Sequence, residues 1–166
     1  MLANPLAIVG GAMHIVTHAF GKITLFFCAG AIDVALHKKN ISDMRGIGRA
    51  MPFTMAAFFI ASLSIIGLPP LAGLWSKWYL ALGTLEADEF ALLGVLMVSS
   101  LLNVAYLLPI PIRAFFSKPV DGEAIVGIRD APWPSVAALV FTALGCVVLF
   151  FCAEPLYRLA LAILPQ

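Results

Sequence analysis

Residues 13–32 read MHIVTHAFGKITLFFCAGAI. Three ionisable side chains, His14, His18 and Lys22, stand four residues apart in this otherwise apolar run. At helical pitch, positions i, i+4 and i+8 fall within an arc of about 80° and rise about 12 Å along the axis. Apolar residues flank them for more than a membrane thickness. An ionisable group at that depth costs roughly 2.5–3.5 kcal/mol even on the gentlest insertion scale, and such groups persist where they line a polar path or pair with one another. The run therefore reads as a membrane helix carrying a proton or ion route. Asp33, eleven residues beyond Lys22, returns to within about 20° of the same face and would end that route near the interface.

Composition agrees with the membrane reading. The chain is 62% hydrophobic and 11% charged, against about 25% charged in soluble domains. A net charge of +1 offers no basic face for nucleic acid. The three cysteines, Cys28, Cys146 and Cys152, sit in apolar runs without the spacing of a zinc site, so they read as small apolar fillers. No metal ligand set and no cofactor is expected. The first residues carry no charged segment of the kind that opens a signal peptide. The apolar helix starts almost at once, as if the chain began inside a larger subunit.

A crossing needs about 20 apolar residues. On that measure the expectation is all-α: a polytopic transmembrane helix bundle with one broken helix, forming a single domain over residues 1–166. About five membrane segments are expected, at 5–36, 51–68, 73–83, 90–116 and 134–153. Gly10-Gly11 is expected to break or loosen the start of the first. The polar stretch HKKNISDMRGIGR, residues 37–49, ends it. Between the second and third lies GLPPLAG, residues 67–73, whose paired prolines exclude a helix interior. The segment after it, ending near Gly83, is too short to span alone. A short helix beside a Gly/Pro break is the mark of a discontinuous membrane helix at a transport site. The fourth segment is interrupted late by Pro109 and Pro111. The tail from Pro155 either extends the last span past a kink or lies in the interface. Lys38, Lys39, Arg45 and Arg49 make the first connector basic and residues 86–89 are acidic, so the positive-inside rule puts the first connector in the cytoplasm.

The candidate site residues follow. Lys22 lies too deep to snorkel and can bind and release protons if protein encloses it. His18 needs little tuning to titrate near neutrality, and His14 extends the series. Lys77 sits on the short helix after the break, flanked by Trp75, Trp78 and Tyr79. Ser62, Ser64 and Ser76 are hydroxyls that either connect Lys22 to Lys77 or bond back to their own helices. Ser99, Ser100, Asn103 and Tyr106 cluster in the fourth segment, with Asn103 a candidate for an interhelical hydrogen bond or a bound water. Ser76, Asn103 and Asp33 are thus support positions for a relay through Lys22, Lys77, His18 and His14. Two competing readings stand beside it. His14 and His18, at i and i+4, have the spacing to hold a haem or metal, although the remaining histidine, His37, is in a connector. Alternatively, the polar residues only hold the bundle together.

Three stretches in the same order carry a resemblance: MHIVTHAFGKITLFFCAGAI, DMRGIGRAMP (43–52) and SIIGLPPLAGLWSKWYL (64–80). They resemble the carboxy-terminal part of the antiporter-like membrane subunits. That family includes the A-type and D-type subunits of the Mrp-type sodium/proton antiporters, and the large proton-pumping subunits of respiratory complex I and related membrane-bound hydrogenases. The first stretch is similar to the family's tenth helix, the third to its broken twelfth helix, and the wording looks nearest to the D-type Mrp subunits. The resemblance implies fourteen helices with two inverted five-helix repeats, of which this chain covers about the last five. By motif position, Lys22 matches the central lysine, His14 and His18 the histidines upstream of it, and Lys77 the ionisable residue of the broken helix. It implies a transporter subunit rather than an enzyme in itself, although one that can belong to an NADH:quinone oxidoreductase-like complex. The implied partners are other membrane subunits, the lipid bilayer, H⁺ and Na⁺. The implied location is the bacterial inner (plasma) membrane.

Overall fold

The computed structural model describes residues 4–119 and 127–164. Among them the chain is helical and contains no strand. The helices are α1 (Pro5–Leu36), α2 (Pro52–Ile66), α3 (Gly73–Glu86), α4 (Phe90–Leu107), α5 (Pro109–Phe116), α6 (Trp133–Phe151) and α7 (Ala153–Leu161). Two 3₁₀ turns, Ile41–Met44 and Ile47–Arg49, lie in the first connector. Three stretches are long and apolar enough to cross a membrane: Pro5–Leu36, Phe90–Phe116 and Trp133–Phe151.

α1 has 32 residues, about 48 Å at 1.5 Å per residue. Asn4 caps it by accepting from the Ala7 amide at 2.8 Å, and Pro5 follows where its missing N–H costs nothing. The expected break at Gly10-Gly11 does not occur; α1 runs straight through. Gly10 serves contact instead. A Cβ there would come within 2.7 Å of the Leu80 backbone nitrogen, so its absence lets α1 and α3 touch backbone to backbone. Gly83 does the same against Ala7, where a Cβ would lie 2.7 Å from the amide nitrogen.

α2 and α3 run end to end along α1, both antiparallel to it. The pairings follow in order. Cys28 Sγ meets Thr54 O at 3.4 Å, Gly21 lies under Ile65, and His14 meets Ser76. Gly10 then lies under Leu80, and Asn4 Nδ2 donates to Gly83 O at 2.7 Å. The second and third expected segments are thus two halves of one interrupted rod, and the five segments make four passes among the described residues. Neither half is long enough to cross alone, which is why segment length suggests a separate short helix.

Gly67 ends α2 at φ 92°, a left-handed conformation that only glycine adopts without strain. Its amide and that of Leu68 both donate to Leu63 O. Gly73 restarts the helix so close to α2 that a Cβ would fall 1.8 Å from Ser64 O. α4 and α5 return parallel to α1, kinked at Leu108–Pro109, and reach the first connector where the Gly46 amide donates to Arg113 O at 3.2 Å. α6 runs back beside α2 and α3, with the Ala72 amide donating to Cys146 O at 3.0 Å. Helix α6 ends at Phe151 and the kink falls at Cys152, not at Pro155, which sits harmlessly in the first turn of α7.

Two apolar cores result. The larger, at the connector end, gathers Cys28, Ile32, Met51, Met55, Ile110 and Leu139. The smaller, at the opposite end, packs Val9, Met13 and Ala160 against Trp75, Tyr79 and Tyr157. Asp130 braces the first by capping α2, whose own cap residue Met51 offers no side chain. Its carboxylate accepts from the Phe53 amide at 3.1 Å, the Thr54 amide at 3.4 Å and the Thr54 hydroxyl. Those amides lack partners within the helix, and the positive end of the helix dipole favours an anion there. The polar side chains of interest lie between the cores.

Candidate functional site

The break between α2 and α3 organises the site. The last carbonyls of a helix have no partner within it and carry its negative dipole end. Ile66 O, the last of α2, accepts from Lys77 Nζ at 2.8 Å. Ser100 Oγ, on α4, accepts from the same nitrogen at 2.8 Å and donates to Leu96 O at 3.0 Å. Gly67 makes room for the lysine stem, since a Cβ there would lie 2.9 Å from Lys77 Cδ. A half-buried cation is thus held at a helix C-terminus by two oxygens from two different helices.

A second network lies on the side of α3 that faces α1. His14 Nδ1 is 2.9 Å from Ser76 Oγ. Thr17 Oγ1 stands 3.3 Å from Ser76 Oγ and 3.4 Å from His14 O, and Ser76 Oγ lies 3.1 Å from Gly73 O. Ser76 and Thr17 are buried. A hydroxyl has one proton to give. If Ser76 gives it to Gly73 O, His14 must carry a proton on Nδ1; if Ser76 gives it to His14, that nitrogen is bare. The rotation of one hydroxyl is therefore tied to whether His14 Nδ1 carries a hydrogen, as the matching neutral tautomer or the imidazolium. The His18 ring lies beside that of His14, with centroids 5.1 Å apart and planes tilted by 30°.

The sequence-derived residues divide accordingly. His14, His18 and Ser76 come together, and Lys77 finds Ser100. Although Ser76 and Lys77 are chain neighbours, no hydrogen bond among the described residues joins the two networks. Lys22 departs from expectation. It lies exposed on the outer face of α1, in the series Ile15, Ala19, Lys22, Phe26, and not enclosed by this chain. The i, i+4 rule places it on the arc of the histidines but does not say where the neighbouring helices end. Asp33 joins neither network; its backbone carbonyl accepts from the His37 amide at 2.9 Å. Asn103 accepts from the Tyr106 hydroxyl at 2.5 Å, one turn along the same helix, and does not reach Lys77. Ser62 bonds back to Phe58 O at 2.8 Å, and among the described residues the buried Ser64 hydroxyl has no partner. Neither Ser62 nor Ser64 joins Lys22 to Lys77.

Sequence reasoning misses Thr17 and, although it places Ser100 in the fourth-segment cluster, does not pair it with Lys77. Thr17 stands inside the quoted motif but looks like an ordinary small helix residue. The role of Ser100 is readable in principle. A tight turn centred near residue 88 folds α4 back along α3, and equal counting from it sets residue 77 opposite residue 100. The histidine pair gains no metal-like company either: among the described residues no group of three or more His, Cys, Asp or Glu gathers, and His14 Nδ1 is engaged by Ser76.

The apolar helical bundle has counterparts among known proteins. Residues 1–103 match the family model described as NADH:quinone oxidoreductase/Mrp antiporter, TM. The chain belongs to this family. It is 45% identical over 158 residues to the NADH-quinone oxidoreductase subunit N of Desulforudis audaxviator, covering 89% of this chain and 32% of that protein. It is 29% identical over 163 residues to the D-type subunit of the Na⁺/H⁺ antiporter of Alkalihalophilus pseudofirmus, covering 97% and 32%. The chain thus spans about a third of the length of the curated relatives it matches. Among solved structures, the Mrp complex from Dietzia sp. DQ12-45-1b superposes with a TM-score of 0.86 at 21% identity, over 96% of this chain and 38% of that one. Respiratory complex I from Thermus thermophilus does so with a TM-score of 0.71 at 23% identity, over 93% and 36%. At those identities the superpositions establish the shared fold. The antiporter/oxidoreductase membrane family therefore contains both the broken pass and the bundle around it.

Proposed function

We propose that the chain contributes a proton-translocating half-channel to a multisubunit ion-translocating membrane assembly. The observation that carries this reading is Lys77, held at the α2 break by Ile66 O and Ser100 Oγ. Protons would pass between solvent and this amine by way of His18, His14 and Ser76, with water bridging the gap from Ser76 to Lys77. Ammonium and amine both donate hydrogen bonds, so Lys77 can change charge without breaking its contacts. A group that keeps its contacts in both charge states is suited to sequential protonation.

Lys22 fits the same reading only with neighbours. An amine on an apolar outer face cannot rest against hydrocarbon without a cost of roughly 2.5–3.5 kcal/mol or more. In the assembly, further membrane helices would cover that face and complete the route, as expected if the rest of a full-length relative packs there. Orientation follows from charge. Arg113, Lys118 and Arg129 join Lys38, Lys39, Arg45 and Arg49 at the connector end, whereas Glu86, Asp88 and Glu89 lie at the other. The positive-inside rule puts the connector end in the cytoplasm, with the chain in a bacterial inner membrane.

The 45% identity to a subunit of a quinone oxidoreductase favours a redox-driven proton pump. A second reading, proton exchange for Na⁺, is favoured by the match to a Na⁺/H⁺ antiporter component over 97% of this chain. The test is proton flux in proteoliposomes holding the complete assembly. Lys77→Ala and Lys22→Ala should each abolish proton-coupled transport while assembly, followed by native gel, is preserved. Wild-type flux in Lys77→Ala would end the proposal. Dependence of the wild-type flux on a Na⁺ gradient, rather than on quinone reduction, would select the exchange reading.

A further inference from the structure

At the end of the bundle away from the basic connector, α7 packs against α1 and α3 and borders an open cleft of about 250 Å³. Its walls include Trp75, Tyr79, Phe150, Tyr157 and Met13. The aromatic walls are fixed in place. Trp75 stacks on Phe150 at 5.7 Å between centroids and donates its indole N–H to Phe150 O at 3.0 Å. Tyr79 stacks on Tyr157 at 5.1 Å. Glu154 is the one charged residue lining the cavity. Its Oε1 accepts from Arg158 Nε at 2.9 Å, and both side chains are largely exposed.

Each feature narrows the ligand. Pockets for drug-sized ligands measure about 300–1,000 Å³, so a cleft of about 250 Å³ suits a smaller group. Aromatic walls with a carboxylate at the edge attract an organic cation, through ring quadrupoles and direct charge. A single carboxylate is too few oxygens for a hard metal ion, which takes six or more. Arg158, outside the cavity lining but bonded to Glu154, spends one of its five N–H groups there and keeps the others for an anion. A cation subsite and an adjoining anion subsite would thus stand one helical turn apart, where the 19-residue, largely apolar helix α6 ends and a bilayer surface would lie. We propose that this cavity binds the headgroup of a zwitterionic phospholipid, with its alkylammonium group between the aromatic walls and Glu154 and its phosphate on Arg158. The lipid would tie α7 and the ends of α1 and α3 to the bilayer. This site is independent of the Lys77 route.

The test uses the complete assembly in nanodiscs made of phosphatidylglycerol with or without phosphatidylethanolamine, with retained lipid counted by native mass spectrometry. One ethanolamine lipid should be retained by the wild type, and about tenfold more weakly by Glu154→Gln, the consequence of losing a charge-assisted contact. The exchange variant Glu154→Arg/Arg158→Glu keeps an ion pair along the helix but reverses the polarity facing the cavity, so it should lose the lipid equally. Ethanolamine lipid should raise the melting temperature of the wild type and not of either variant. Equal retention in Glu154→Gln, or no preference over phosphatidylglycerol, would overturn the proposal. Displacement by free ethanolamine as readily as by the lipid would overturn the phospholipid as the source of the ammonium.

Discussion

Two lysines that look alike in the sequence meet opposite surroundings in the fold. Lys22 and Lys77 each sit in an apolar helix beside aromatic or hydroxyl residues. Lys77 is gripped by a helix end and a serine from a third helix. Lys22 faces outward on α1 among Ile15, Phe26 and other apolar residues. The difference comes from backbone. Where α2 stops, free carbonyls appear at membrane depth and need a donor, and a cation supplies one at low cost. Continuous α1 has no free carbonyl to offer, so its lysine finds no acceptor within this chain and depends on whatever packs outside it.

The contrast can be broken most decisively at Lys77. Lys77→Met should eliminate proton flux through the complete assembly, as read by a pH-sensitive dye in proteoliposomes. The next largest effect is expected from Gly67→Ala. A methyl there requires a left-handed residue with a side chain, worth about 1–3 kcal/mol, and presses on the lysine stem 2.9 Å away. Thermal unfolding should register the loss of stability, and flux should fall as the amine is displaced from Ile66 O. Ser100→Ala removes one of the two acceptors and leaves the other, which costs about 1 kcal/mol. Flux should drop roughly fivefold, with the melting temperature little changed. The smallest effect sharpens the comparison from the other side. In this chain alone Lys22→Met should shift stability by less than about 0.5 kcal/mol, as for other exposed positions, even though the same substitution stops flux in the assembly. A large destabilisation of the isolated bundle by Lys22→Met would mean that α1 buries this amine after all.

Much of the fold is legible in the chain itself. The apolar lengths, the Gly67–Gly73 break and the kink at Pro109 depend on chain-local rules of length, proline sterics and glycine conformation. The grouping of His14, His18 and Ser76 is partly legible because helical spacing sets a face. What spacing leaves open is which helix that face meets. For that reason the sequence does not say that this chain leaves Lys22 on its outer face, and Gly10-Gly11 looks like a weak point when Gly10 marks an approach of two backbones. Asp130 shows the same limit. Nothing local to a loop aspartate announces that it will cap a helix start 77 residues earlier in the chain. Ser100 needs the hairpin geometry around residue 88 before it can be matched to Lys77.

The grip on Lys77 has a mechanical consequence. One side chain on α3 links the end of α2 to the middle of α4, so it works as the pin of a joint among three helices. A charged donor makes a bond roughly twice as strong as a neutral one. Each proton that arrives therefore stiffens the joint and each that leaves slackens it, turning the occupancy of a single nitrogen into the rigidity of the pass around it. Amide exchange across Gly67–Gly73 should accordingly quicken as the bath is made alkaline, and a rate that ignored pH beyond its intrinsic chemistry would show the pin to be inert.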